Sequence, residues 1–158
     1  MDQPRRAKAA AARAARQSEA PRAATSPGLE AYVLAASFLT GGIILVVEIL
    51  GTRVIGPYYG ASIYVWSSLI GVTLGALTAG YVAGGWVADR WPATTALALE
   101  MIGGALCILA VPWLRKTVLS ATTPLGLKAG SLLSATLLFG PPLLLLAMTG
   151  PCAIRLVT

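Results

Sequence analysis

The sequence is dominated by long runs of apolar residues that carry very few charges. The stretch from Phe38 to Arg90 holds two such runs, separated by a short turn that contains Gly56 and Pro57. A run of about 20 apolar residues crosses the ~30 Å hydrocarbon core of a bilayer as a helix, whose backbone polar groups all pair internally. Only 11% of the residues are charged, whereas soluble domains have about 25%. These features predict an all-α membrane protein.

Four membrane spans are predicted, and together they form a polytopic helical bundle. The transmembrane domain is expected to begin at residue 30 and to continue to residue 158. Between the first two spans, Tyr58, Tyr59, Tyr64 and Trp66 are typical of an aromatic belt at a membrane surface. The predicted spans cover about residues 31–50, 63–87, 94–112 and 130–148.

Small residues recur every four positions in the second predicted span. Gly71, Gly75 and Ala79 form one stripe, and Gly80 and Gly84 form another on a different face. Small residues allow membrane helices to approach closely. Two such stripes therefore predict that the second span is central and contacts more than one helix.

The N-terminal segment, residues 1–29, is expected to be a disordered cytoplasmic tail. Six of the 12 basic residues lie in it, and basic residues beside a span favour the cytoplasmic side. Eight basic residues fall on the side of the tail and four on the other side. We therefore predict a multi-pass protein of the bacterial inner (plasma) membrane with a cytoplasmic N-terminus. The tail is expected to contact anionic lipids rather than nucleic acid, because no nucleic-acid-binding fold follows it.

Two carboxylates fall inside the predicted spans, where an ionised group costs several kcal/mol. Glu48 lies near the end of the first span, and either reaches water at the interface or faces a polar cavity that binds a cation or relays a proton. Arg53 would pair with Glu48 only if the helix loosens at Gly51. Glu100 lies about two turns into the third span, where it either forms an internal hydrogen bond or contacts a cation.

Two further motifs are predicted to shape the bundle. Asp89 and Arg90 follow the second span and are interpreted as a structural turn. Pro141 and Pro142 lie inside the fourth span and lack backbone donors, so we expect the helix to kink or break there. Such breaks persist in membranes where protein or a water-filled cavity shields the freed carbonyls.

Several classes of chemistry are not expected. The sequence has no histidine, which excludes Ser-His-Asp and Cys-His catalysis and histidine-based zinc sites. Cys107 and Cys152 lie in apolar runs without metal-ligand spacing and are interpreted as buried thiols. The glycine-rich stretches follow no strand, which excludes a dinucleotide-binding fingerprint. We predict no catalytic residue, no metal site and no cofactor.

A set of motifs in this chain resembles one bacterial family. The motifs are Glu48-Ile-Leu-Gly-Thr-Arg53, Pro57-Tyr58-Tyr59-Gly60, Ser62-x-Tyr64-x-Trp66, Gly84-Gly85-x-x-Ala88-Asp89-Arg90, Gly140-Pro141-Pro142, and Gly150-Pro151-Cys152-Ala153-Ile154-Arg155-Leu156. Together they are similar to the membrane portion of the fused major facilitator/spermidine synthase-like proteins. The resemblance covers about residues 35–157 and leaves out the tail. Major facilitator transporters carry a similar cytoplasmic turn between their second and third helices.

The resemblance implies a membrane module that handles polyamine-like cations for a soluble aminopropyltransferase-like domain. We expect that synthase domain to lie outside this sequence, and none of the family's catalytic positions falls within it, so an enzyme is the least favoured interpretation. One alternative is a major facilitator-like transporter fragment in which Glu48 and Glu100 contact a cation and Pro141-Pro142 is a hinge. Another is a membrane anchor or scaffold without transport. The partners considered are a synthase domain, a second copy of the chain and a polyamine-like solute.

Overall fold

The computed structural model describes residues 27–157, which form four long helices. Helix α1 spans Pro27–Tyr59, α2 Ile63–Arg90, α3 Ala93–Thr122 and α4 Gly126–Val157, and a 3-10 turn, Thr123–Leu125, joins α3 to α4. The shortest helix has 28 residues and is therefore about 42 Å long, more than the ~30 Å core of a bilayer. The all-α prediction is confirmed for this part of the chain. The predicted tail lies outside the described residues, except for its last three residues, which begin α1.

Three helical stretches are long and apolar enough to cross a membrane. They are Gly28–Tyr59, Ile63–Arg90 and Thr94–Leu156, and the third contains both α3 and α4. Large apolar side chains point outward on every helix, among them Phe38, Val82, Leu109 and Leu137. Such a surface suits hydrocarbon rather than water. The predicted membrane class is therefore confirmed by length and composition, whereas the count of four spans stays a prediction.

Helix α1 is longer than the predicted first span. It continues through Gly51 and Gly56 to Tyr59, and Pro57 lies within its last turn. The helix does not loosen at Gly51, which packs against the neighbouring Leu69. The chain reverses only at Gly60, whose φ of 76° is a left-handed conformation that glycine adopts readily.

Proline does not end α3 or α4. Helix α3 continues ten residues beyond Pro112, and α4 passes through Pro141 and Pro142. The helix is therefore not broken at Pro141-Pro142, and a kink there stays a prediction. Each proline removes only one backbone donor, and Pro142 and Leu143 are fully buried, so packing against neighbouring helices holds the segment in helical form.

The central helix is α4, so the prediction that the second span is central is wrong, although α2 does contact more than one helix, as predicted. Helix α4 packs against α1, α2 and α3, whereas α2 and α3 barely touch. One predicted stripe of small residues makes the α2–α4 contact, because Gly80 lies on Ala147 and Gly84 lies on the backbone of Met148. The other stripe, which includes Gly71, faces outward.

Two apolar clusters hold the bundle together at its two ends. The end where α1 begins contains Val33, Ala88, Ala96, Leu97, Cys152 and Ala153. The beginnings of α1 and α3 and the ends of α2 and α4 thus lie at the same end, and we call it the N-terminal end. The opposite end contains the larger cluster, which includes Ile55, Leu69, Leu119 and Leu143.

Candidate functional site

Glu100 is buried where three helices meet near the N-terminal end. It lies on α3 and is only 4% exposed. The thiol of Cys152 on α4 donates to its Oε1 at 3.1 Å, and the same sulfur lies 3.7 Å from the carbonyl oxygen of Gly84 on α2. Oε2 is buried and has no hydrogen-bond partner among residues 27–157. We call Glu100, Cys152 and Gly84 the Glu100 site.

The Glu100 site exists because small residues let the helices approach. Gly84 has no side chain, so the backbone of α2 reaches α4 beside Met148. Cys152 is completely buried and is small enough to lie between that backbone and α3. Sequence reasoning placed Cys152 correctly inside the protein but did not predict its contact with Glu100, which is 52 positions away.

No basic side chain within residues 27–157 forms an ion pair or a hydrogen bond with Glu100. The nearest basic side chain along α4 is Arg155, which forms a 2.6 Å ion pair with Asp89 and also donates to the carbonyl of Ala88. A buried carboxylate without a cationic partner is costly in an apolar medium. Oε2 of Glu100 is therefore an unsatisfied acceptor within the described part of the chain.

Asp89 and Arg90 lie at the end of α2, as the sequence indicates. The Asp89–Arg155 pair joins the end of α2 to the end of α4. The guanidinium of Arg90 lies 3.8 Å from the centre of the Trp86 ring on its own helix. Asp89 is 80% exposed, and exposed ion pairs contribute little to stability. The pair therefore joins two helix ends but supplies little of the folding energy, and the structural role of this turn stays a prediction.

Glu48 and Arg53 do not pair among the residues that the structure describes. Because α1 continues as one helix past both, their five-residue spacing places them about 140° apart around its axis. Glu48 is half-buried and Arg53 is exposed. No hydrogen bond to either side chain is found in the described part of the chain.

Glu48 is also far from Glu100 along the bundle. Val33 on α1 and Ala96 on α3 belong to the same apolar cluster at the N-terminal end. Glu48 lies about 22 Å beyond Val33, and Glu100 lies about 6 Å beyond Ala96. The structure therefore does not bring the two predicted carboxylates into one site.

A cluster of hydroxyl groups joins three helices at the opposite end. The Tyr59 hydroxyl donates to Thr122 Oγ1 at 2.8 Å, and the Thr122 and Ser134 hydroxyls lie 2.6 Å apart. Tyr59 fits here because residue 130 is glycine, and a Cβ at Gly130 would lie 2.6 Å from the tyrosine oxygen. The sequence assigned Tyr59 to a surface belt, which its burial corrects. Since these hydroxyls are paired, the cluster is a structural link.

No group of three or more histidine, cysteine, aspartate or glutamate side chains within the described residues is arranged to hold a metal ion.

Comparison of the chain with protein-family models, with curated proteins and with solved structures gave no match. The similarity to the fused spermidine synthase-like proteins therefore depends on the sequence motifs alone.

Proposed function

We propose that the chain is a four-span membrane module in which Glu100 receives a cation. Support for four spans comes from the stretch Thr94–Leu156, which consists of two helices of 30 and 32 residues that pack on each other. Each is long enough to cross a bilayer. The turn between them contains Gly126, which has a φ of 82°.

The observation that carries this proposal is the unpartnered oxygen of Glu100. The carboxyl group is buried within an apolar stretch of α3, and its only hydrogen bond among residues 27–157 comes from the weak thiol donor of Cys152. Ionisable residues at such positions in membrane proteins usually mark ion or proton pathways. Glu100 is thus a better candidate than the half-buried Glu48.

The resemblance of the motifs supports a polyamine-like cation as the solute. In this proposal the module takes up or passes on the cation for a synthase domain that lies outside this sequence. A major facilitator-like transporter fragment would use Glu100 in the same way. In either case Glu48 does not share the Glu100 site, because the two carboxylates lie at different depths.

A second candidate function is a membrane anchor or scaffold without transport. It is favoured by the outward-facing stripe of α2, where a Cβ added at Gly71 or Gly75 would meet no neighbour within 4 Å. Such a smooth face accepts another membrane helix closely. Under this alternative, Glu100 would be a structural residue and its replacement would not change solute binding.

Binding of labelled spermidine to the purified protein in detergent tests the proposal. We expect Glu100→Gln, which keeps the shape but removes the charge, to abolish binding. Glu48→Gln is the matched control and should bind like the parent protein. If Glu100→Gln binds spermidine with unchanged affinity, Glu100 is not the acceptor and the anchor alternative is favoured.

Reporter fusions test the number and orientation of the spans. Fusions at residues 1 and 158 should report from the cytoplasm, and a fusion after Leu125 should report from the opposite side. If the fusions after Leu125 and at residue 158 report from the same side, α4 does not cross the membrane. If Leu125 reports from the cytoplasm while residues 1 and 158 report from the opposite side, the four spans stand and the predicted orientation is wrong.

A further inference from the structure

A cavity of about 180 Å³ lies between α1, α2 and α4. Part of its wall is apolar and includes Ile44 and Leu146. Four of its lining residues carry hydroxyl groups, although the surrounding helices are apolar enough to cross a membrane; these residues are Ser37, Thr40, Tyr81 and Thr149. No lysine or arginine is among the lining residues.

Thr149 is the buried lining residue whose hydroxyl lacks a hydrogen bond within the described part of the chain. Threonine inside a helix usually donates to the carbonyl four residues earlier, as Thr40, Thr78 and Thr136 do here. Thr149 is 1% exposed, and its Oγ1 has no partner among residues 27–157. Leaving a buried hydroxyl unpaired is unfavourable, so Thr149 is the polar side chain beside the cavity that most needs a hydrogen-bond or ion partner.

Other oxygen atoms at the cavity are available as acceptors. The Thr40 hydroxyl hydrogen is already used in a 2.8 Å bond to the Ala36 carbonyl, which leaves Thr40 Oγ1 as an acceptor only. Ala147 also lines the cavity. Its carbonyl lacks the usual helical donor, because the residue four positions later is Pro151 and has no N–H.

The cavity is close to the Glu100 site along the bundle. Tyr81 lies three residues before Gly84 on α2, and Thr149 lies three residues before Cys152 on α4. Three residues correspond to about 4.5 Å of helix. The cavity is therefore about one helical turn deeper in the bundle than the only fully buried carboxyl group within the described residues.

We propose that this cavity binds a monovalent cation through neutral oxygen atoms, with Thr149 Oγ1 as a ligand. Acceptor oxygens and the absence of lysine and arginine from the lining favour a cation over an anion. Both an alkali-metal ion and a primary ammonium group have this chemistry. The inference rests on the proposed function only for the role of Glu100, which is not among the lining residues, and the oxygen ligands are a separate set of residues.

Calorimetric titration of the purified protein in detergent tests the site. The two probes are sodium chloride and methylammonium chloride, each titrated in a background of choline chloride. The parent protein should bind at least one of them. Thr149→Val keeps the side-chain shape and removes the oxygen, and we expect about tenfold weaker binding. Thr136→Val is the matched control, because that hydroxyl is exposed, bonded to Leu132 and outside the cavity. Gly41→Leu, which fills the cavity, should also weaken binding.

The outcomes separate this inference from the proposed function. If Glu100→Gln loses binding but Thr149→Val and Gly41→Leu bind like the parent, the cavity is not the site, although Glu100 remains the acceptor. If Thr149→Val weakens binding but Glu100→Gln does not, the cavity site stands and the role of Glu100 is wrong. If the parent binds neither probe, the cavity proposal is overturned. Thermal unfolding of each variant shows that it is folded, and Thr149→Val should be at least as stable as the parent.

Discussion

Replacement of Gly84 by alanine tests whether backbone contact between α2 and α4 determines the geometry of the Glu100 site. A Cβ at residue 84 would lie 2.7 Å from the carbonyl oxygen of Met148 and 2.8 Å from its Cα. Nonbonded carbon atoms prefer separations of about 3.5–4.0 Å. Because both obstructing atoms belong to the backbone, no side-chain rotation can relieve the clash, and the two helices must move apart.

The expected cost follows from that movement. A separation of about 0.7–1 Å removes roughly a quarter to a half of the dispersion energy of each contact across the interface. Overpacked substitutions cost about 1–3 kcal/mol, and we expect Gly84→Ala to lower the free energy of unfolding by about 2–3 kcal/mol. The displaced Gly84 carbonyl would also leave the thiol of Cys152 more accessible to maleimide labelling.

Unfolding in mixed detergent micelles, followed by tryptophan fluorescence, measures this effect. Gly85→Ala is the matched control, because it makes the same change at the next position, where a Cβ has no neighbour within 4 Å. We expect the control to raise the free energy of unfolding by up to about 1 kcal/mol, because alanine favours helix over glycine. Equal stability and equal Cys152 labelling in the two variants would refute the close backbone contact.

Two further substitutions test polar contacts at the two ends of the bundle. Asp89→Asn removes the ion pair with Arg155. Because both side chains are substantially exposed, the free energy of unfolding should fall by less than about 1 kcal/mol. At high salt the loss should be smaller still. A loss above about 2 kcal/mol that does not depend on salt would contradict this interpretation. Tyr59→Phe removes the hydrogen bond to Thr122 and should lower the free energy of unfolding by about 1 kcal/mol. Tyr58→Phe, at an exposed neighbour, is the control, and an equal loss in that variant would argue against the hydroxyl cluster.

Much of the secondary structure could be predicted from the apolar runs, but the helix ends could not. The local signals of Gly56, Pro57 and Pro112 suggested helix ends that packing overrides. Propensity measures the preference of an isolated segment. In the folded bundle, burial of apolar side chains against neighbouring helices outweighs the loss of a single backbone hydrogen bond at each proline.

The candidate site was only partly predictable for a similar reason. Glu100 could be identified because a carboxylate inside an apolar run is conspicuous in the sequence. Its contact with Cys152 could not be predicted, because it depends on how α3 and α4 are rotated against each other. The separation of Glu48 from Glu100 also required the alignment of α1 with α3, which no local pattern specifies.

The sequence by itself determined that this chain forms long apolar helices. It has too few charged residues to cover the surface of a folded protein in water. In hydrocarbon, a backbone must pair its own polar groups, and a helix does so. Only the tertiary structure decided which helix lies at the centre, which stripe of glycines is buried and which oxygen atoms of Glu100 and Thr149 lack partners within the described residues. Those features arise from contacts between residues that are distant in the chain. They depend on the relative rotation and depth of whole helices, which a helical period leaves undetermined.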